Sequence, residues 1–288
     1  MRLRLGAARL TGSVPRMTTQ RDKAQRFAAL HRGATPLLMP NAWDAGSAKL
    51  FAHLGCAAIA TTSSAFAATL GRVDGAVTRD EALAHSALLS AAVEIPVSAD
   101  LENGFADDLD GVRSTYAGAV AAGLAGASIE DYSGNDTKQL YDIGFATERV
   151  AAAADAAHTD EVHLVLTARA ENHLRGNPDL TDTIKRLQAY EAAGADVLFA
   201  PGIRTADDIR AIVDSVGVPV SVLAAPGVPN VAELGEIGVG RVSTGGAFGY
   251  VAYGAAAEAA RELLEQGTYD FWQDVAPGSQ ITKAALEA

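Results

Sequence analysis

At 288 residues and 49% hydrophobic side chains, the chain can build one large core or two smaller ones. Its formal net charge of −12 argues against phosphate-backbone binding, so an anionic ligand needs local help from a metal or an arginine. A single cysteine excludes an intrachain disulfide and a thiolate zinc cluster, and no apolar run is long enough to read as a membrane span.

The chain opens with MRLRLGAARLTGSVPR, which carries four arginines and no acid. An amphipathic targeting segment is one reading. A disordered leader or start-site extension over residues 1–20, ahead of Met17, is preferred, with the cytoplasm as the default compartment.

From residue 36 to 266 a steady rhythm follows. Short apolar runs end in polar or Gly-rich turns: LLMPN (37–41), AIATTS (58–63), PVSADLE (96–102), GASIED (126–131), LVLTARAE (164–171), VLFAPG (197–202), VSVLAA (220–225) and RVSTGG (241–246). Helical patterns such as AGSAKLFAHLG, TERVAAAADAAH and DTIKRLQAYEAAG lie between them, several ending in Gly. Alternating strands and helices imply parallel βαβ units, and eight strands close a barrel. The expected fold is therefore α/β, a (β/α)8 TIM barrel over residues 21–288 with a C-terminal helical extension. A doubly wound open sheet is the competitor, but no GxGxxG follows the first run. Cys56, within LFAHLGCAAIA, reads as an inert buried thiol. The stretch AFGYVAYGAAAEAARELLEQG is expected to cover the barrel. Beyond it, Tyr269, Phe271 and Trp272 should pack on the same barrel or dock on a neighbouring subunit.

In such a barrel the active site is built where strands end. Asn41, with Trp43 and Asp44 just beyond, closes the first run. Thr61, Thr62, Ser63 and Ser64 end the second, whose loop carries Arg72 and Asp74. Asp100 and Glu102 end the third run, and strand alternation would put them on one side with Leu101 opposite. Glu130 and Asp131 end the fourth; Arg169 and Glu171 end the fifth, with His173 after them. Clustered carboxylates repel unless one protonates or a cation sits between them. Asp100, Glu102 and Glu130 offer an all-oxygen site suited to Mg2+ or Mn2+ rather than Zn2+; the plain alternative is a solvated turn of acids. Arg169, placed after an apolar run, needs an anion: a substrate carboxylate, or Glu171 or Glu130 in a purely structural pair. The amides of Ser63 and Ser64 fit an oxyanion hole better than their hydroxyls fit a nucleophile. His173 is a weaker signal.

The motifs PNAWDAGSA, TTSSAFAATLGRVDG, DLENGF, GASIEDY, ARAE and EAAGADVLF, in this order, resemble the phosphoenolpyruvate mutase/isocitrate lyase superfamily over most of residues 36–250. The resemblance implies a barrel with a C-terminal helix swapped between subunits, assembled as a dimer of dimers. It implies Mg2+ bound with a 2-oxo acid or enolate, and a C–C or P–C bond made or broken. By position, Asp100 would be the direct metal ligand, and Glu102 and Glu130 would hold metal-bound waters. Asp74 would complete the polar wall, Arg169 would clamp the substrate carboxylate, and the Ser63 and Ser64 amides would bind the oxo group. Asn41, Asp44, Thr62 and Glu171 are weaker candidates for substrate contact.

One departure matters. The isocitrate and methylisocitrate lyases of this superfamily carry a cysteine acid in a K-[KR]-C-G-H loop after the fourth strand. Here the loop is YSGNDTKQLYDIGFAT (132–147), without cysteine or histidine. Tyr132, Lys138 and Tyr141 are its candidate acids or anion contacts, though each also reads as an ordinary loop residue. Tyr132 also takes the place of the lysine that the mutase branch has directly after its Glu-Asp pair, with Asn135 nearby. The expected function is a Mg2+-dependent lyase that cleaves or decarboxylates a small 2-oxo or 2-hydroxy di- or tricarboxylate through a pyruvate-enolate-like state. A phosphoenolpyruvate mutase-like (carboxyphosphonoenolpyruvate phosphonomutase-type) P–C bond enzyme and a non-catalytic 2-oxo acid-binding barrel are the alternatives. The expected partners are the small carboxylate and further copies of the chain, with neither nucleic acid nor membrane.

Overall fold

Pro40 interrupts the first strand, and the interruption helps the sheet to close. A proline has no N–H for the ladder, so the strand divides into β1 (Leu37–Met39) and β2 (Asn41–Ala42). The remaining strands are β3 (Ile59–Thr61), β4 (Val97–Asp100), β5 (Gly126–Glu130), β6 (Val165–Arg169), β7 (Val197–Phe199), β8 (Val220–Leu223) and β9 (Arg241–Ser243). All pairings are parallel, in the order β1-β9-β8-β7-β6-β5-β4-β3-β2. Because β1 pairs with β9 and β2 with β3, the two halves of one broken strand join both edges. The result is the eight-staved barrel that the sequence rhythm implies. The computed structural model describes residues 19–134 and 139–287; the arginine-rich leader, apart from its last residues, lies outside them, as do Asn135 and Lys138.

The helices are α1 (Gln20–Leu30), α2 (Ala45–His53), α3 (Ser63–Thr69), α4 (Arg79–Ala92), α5 (Leu109–Ala121), α6 (Ile143–Ala157), α7 (Leu180–Ala192), α8 (Ala206–Ser215), α9 (Val231–Ile237), α10 (Ala247–Glu265) and α11 (Trp272–Glu287). Most start where a short polar side chain can accept from the first free amides, as Thr78, Asp108, Asp142 and Thr205 do. None of them is long and apolar enough to cross a membrane.

Helix α1 closes the end of the barrel opposite the strand C-termini. Its Lys23 Nζ donates to the Val93 carbonyl (2.8 Å), and Gln20 Nε2 donates to the carbonyls of Val120 and Leu124 (2.8 and 2.9 Å). Phe27 is fully buried in the opening. Gly126 makes room for it: a Cβ there would come within 2.5 Å of the Phe27 ring and 2.9 Å of the Val165 carbonyl.

Two sequence expectations need correction. Helix α10 does not cover the barrel. Only Gly249 is buried along its length, while Tyr250, Val251, Tyr253, Leu263 and Leu264 stand exposed. Its 19 residues span about 28 Å at 1.5 Å per residue, far longer than a strand of three to five residues can shelter. Helix α11 turns back against α2, leaving Tyr269 and Trp272 exposed. Cys56 is half-buried rather than buried, with burial pushing its thiol up from the usual value.

Candidate active site

Five carboxylates gather at the C-terminal ends of β3 to β6 around one guanidinium. Arg169, the last residue of β6, donates Nε and Nη2 to Glu171 Oε1 (3.1 and 2.7 Å). Its Nη1 reaches Asp100 Oδ1 at 3.1 Å and its Nη2 lies 3.2 Å from Glu130 Oε2. Burial opposes its charge, yet Glu171, Glu130 and Asp100 together hold it well above the usual arginine value. Arg175 adds a second cation, 3.1 Å from Glu171 and 3.9 Å from Glu130, and stacks 3.6 Å over the Tyr132 ring.

Asp100 and Glu102 face the same site, but not by strand alternation. The ladder ends at Asp100, and Glu102 follows in a left-handed turn (φ 47°), with Phe105 also left-handed (φ 53°). Non-glycine residues in that region cost of order 1–3 kcal/mol each. Arg149 on α6 offsets the strain: its Nη2 donates to the carbonyls of Asn103 (2.6 Å) and Ala106 (2.7 Å), and its Nη1 to Asp107 (3.2 Å). The Glu102 carbonyl in turn accepts from the Glu130 amide (2.9 Å), locking the two acidic strand ends together.

The electrostatics mark this cluster. Burial, then the nearby Asp100 and Asp74, push Glu102 up to about 8. Burial raises Glu130 well above the usual carboxylate value; Arg169 opposes this, while Glu171, Asp100 and Glu102 add to it. Asp74 is also raised, by burial before the Asp100 charge, despite a hydrogen bond from Ser63. Glu102 Oε1 is buried without a hydrogen-bond partner. Oxygen donors that are desolvated, mutually repelling and partly orphaned suit a hard divalent cation such as Mg2+.

The cavity beside the cluster has a volume of about 160 Å3. Its wall includes Asn41, Thr62, Ser63, Ser64, Asp74 and Asp100. The Ser63 amide points at Asp100 Oδ2 (3.3 Å), and the Ser64 hydroxyl meets that of Thr62 (3.2 Å). Asn41 ties the barrel seam: its Nδ2 donates to the Thr61 carbonyl (2.7 Å), and its Oδ1 accepts from the amides of Thr244 (3.0 Å) and Gly245 (2.9 Å).

Other predicted residues sit elsewhere. Asp44 is the N-cap of α2, in a reciprocal capping box with Ser47, and does not line the cavity. Arg72 pairs with Glu81 near the surface (2.9 Å). The Tyr141 ring lies under Arg149 (4.4 Å) with its hydroxyl buried, and it is not among the residues that line the cavity. His173 is likewise absent from the lining.

Sequence reasoning missed Arg241 at the start of β9. It is buried and lines the cavity, bonding only neutral groups: Ser221 Oγ (2.8 Å), Thr167 Oγ1 (3.1 Å) and His31 Nε2 (3.3 Å). Burial, with help from Arg169, lowers it to about 9. The clue was the one that exposed Arg169, an arginine beside an apolar strand. Also missed was the role of Asp131, which accepts from the Glu171 amide (2.8 Å), Arg186 (2.9 Å) and the Tyr190 hydroxyl (2.7 Å) and so holds the Arg169–Glu171 segment against β5.

Residues 27–264 match the model of the phosphoenolpyruvate phosphomutase family. The chain belongs to that family. Among solved structures of this superfamily of lyases and mutases, a Burkholderia cenocepacia J2315 protein described provisionally as a lyase/mutase is 46% identical, with a TM-score of 0.88 over 92% of this chain and 95% of that one. A phosphonopyruvate hydrolase, solved with oxalate and Mg2+, is 26% identical, with a TM-score of 0.77 over 88% and 89% of the two chains. An oxaloacetate decarboxylase of Paraburkholderia xenovorans is 32% identical over 73% of this chain and 70% of its own. A 2-methylisocitrate lyase of Halalkalibacterium halodurans is 30% identical over 70% and 67%.

The raised Glu102 sets a pH dependence in metal-free protein. An unfolded glutamate loses its proton near 4.5 and the folded one near 8, so between these values the native state binds more protons than the unfolded state. Stability in EDTA should therefore fall as pH rises across that window. Urea midpoints from pH 5 to 8 test this. Glu102→Gln should flatten the slope; an unchanged slope contradicts the assignment.

Proposed function

We propose that this phosphomutase-family chain is a Mg2+-dependent lyase that cleaves or decarboxylates a small 2-oxo or 2-hydroxy di- or tricarboxylate through a pyruvate-enolate-like state. The observation that carries the reading is the desolvated Asp100–Glu102–Glu130 cluster, whose Asp100 lines a small cavity together with Arg169 and Arg241. Asp100, backed by Glu102 and Glu130, would hold the ion. Bound there, Mg2+ would supply positive charge to the oxygen that becomes anionic when a bond at C3 breaks.

The protein's own groups do the rest. Arg169 offers planar N–H donors to the substrate carboxylate, provided that the cation takes over part of its present share of Asp100 and Glu130. The Ser63 amide, now on Asp100 at a long 3.3 Å, would donate to the oxo oxygen instead. Arg241 below contributes a positive floor that no carboxylate among the described residues neutralises. Among the described residues, the cavity lining contains neither cysteine nor histidine. Loop 132–147 is therefore the place to look for a proton donor, with Tyr132 under Arg175 and Lys138 as candidates.

Decarboxylation or C–C cleavage is favoured over phosphonate chemistry by Tyr132, which stands where the mutase branch has lysine. A panel of C4–C7 oxo and hydroxy acids tested for pyruvate release, against phosphonopyruvate, checks this reading. Turnover of the first set is expected. Turnover of phosphonopyruvate alone would make the protein a P–C bond enzyme, and Mg2+-dependent binding without product would make it a binding barrel. Asp100→Ala should lower kcat/KM by ~10²–10³-fold or more, whereas Arg169→Ala should mainly raise KM. Wild-type metal dependence in Asp100→Ala contradicts the site.

The exposed apolar residues of α10 and α11 support assembly into a dimer of dimers with these helices exchanged or packed between copies. Sedimentation should give a species larger than 29.6 kDa, and Leu264→Asp with Val251→Asp should reduce its size. A monomeric wild type would contradict this.

A further inference from the structure

At the end of the barrel opposite the acidic cluster, three metal-type donors converge. His158 caps α6, His163 precedes β6, and Asp196 precedes β7. The two histidines pair across a short antiparallel bridge, closed by the Thr159 hydroxyl and the backbone of Val162. Their imidazoles are thereby held on one side, stacked 3.8 Å apart at 12°. Both Nε2 atoms address one carboxylate: His158 lies 3.0 Å from Asp196 Oδ2, and His163 lies 2.7 Å from Asp196 Oδ1. The Leu166 amide, donating to Oδ2 at 2.8 Å, fixes that carboxylate.

We propose that His158, His163 and Asp196 form a second divalent-cation site, selective for Zn2+-class ions and independent of the Mg2+ cluster. The donor atoms already lie within 4.8 Å of one another. Tetrahedral Zn2+ with bonds of about 2.0–2.2 Å sets its donors roughly 3.3–3.5 Å apart, so an ion would replace the two hydrogen bonds to Asp196, opening those spacings by roughly 0.3–0.8 Å as the donors draw round it. Two imidazoles and one carboxylate are borderline nitrogen and oxygen donors, which favour Zn2+, Co2+ or Ni2+ over Mg2+. With the His163 side chain 54% exposed, an ion can enter and water can complete the shell.

The chemistry balances without a co-reactant. Each Nε2 facing the carboxylate now donates its proton there. On metal binding that proton moves to Nδ1, or leaves for solvent from a ring that was doubly protonated, and the nitrogen lone pair takes the metal. A bound ion would staple the α6–β6 turn to the start of β7, on the same end that α1 closes. The site is thus structural or regulatory rather than catalytic.

The test uses the full chain, stripped with chelator and then held in saturating Mg2+ so that the acidic cluster is occupied. Co2+ is the probe, followed by its visible ligand-field absorption, with Zn2+ as competitor. One equivalent of Co2+ with the intense spectrum of tetrahedral coordination is expected, displaced by Zn2+. Asp100→Ala should keep that spectrum. His163→Ala, at an exposed position, should weaken binding by ~100-fold or more and abolish the rise in Tm that Zn2+ gives the wild type, while leaving Mg2+-dependent turnover unchanged. Wild-type Co2+ affinity in both His163→Ala and His158→Ala would overturn the site. So would a Zn2+-soaked wild-type crystal with no anomalous peak among the three residues, a readout that does not depend on any variant folding.

Discussion

The strand ends are organised by an imbalance of charge. Asp74, Asp100, Glu102, Glu130 and Glu171 converge where, among the described residues, only Arg169 and Arg175 lie within ion-pair reach of any of them. Two like charges about 4 Å apart repel by about 4 kcal/mol at an effective dielectric of about 20. Burial, reinforced by that repulsion, raises Glu102, Glu130 and Asp74 above the usual carboxylate values and so favours their protonated forms. A divalent cation would relieve the repulsion. The same desolvation that makes the charged acids costly would make them effective ligands for a metal ion.

The fold holds that costly arrangement in place from several sides. Arg149 grips the left-handed loop at three carbonyls. Asp131, with Arg186 and Tyr190, fixes the backbone of Glu171, and Asn41 joins the seam made by Pro40. None of these needs to touch a ligand. Each removes a freedom that the repelling carboxylates would otherwise use to separate.

The barrel was legible because its strands are short apolar runs ending in polar residues, a pattern that alternation with Ala-rich helices leaves little room to misread. Asp100, Glu130 and Arg169 were legible for the same reason: charged residues directly after an apolar run have one place to go. Other features depend on tertiary placement. Glu102 reaches the cluster through a left-handed turn that no period announces. Asp44 looks like a site residue by position, yet it caps its own helix, a role for which aspartate is among the preferred residues. The Asp131 and Arg149 anchors join elements far apart in the chain, so nothing local reveals them. Helix α10 has an amphipathic pattern, but among the described residues it lacks the partner that the pattern suggests.

The central claim is that the acidic cluster and Arg169 form an anion site only once a cation is present. Calorimetric titration of oxalate, a mimic of pyruvate enolate, into chelator-treated protein with and without Mg2+ tests it most directly. The account predicts binding only with Mg2+, and loss of that binding in Asp100→Asn. Equal oxalate affinity with and without the metal would contradict it.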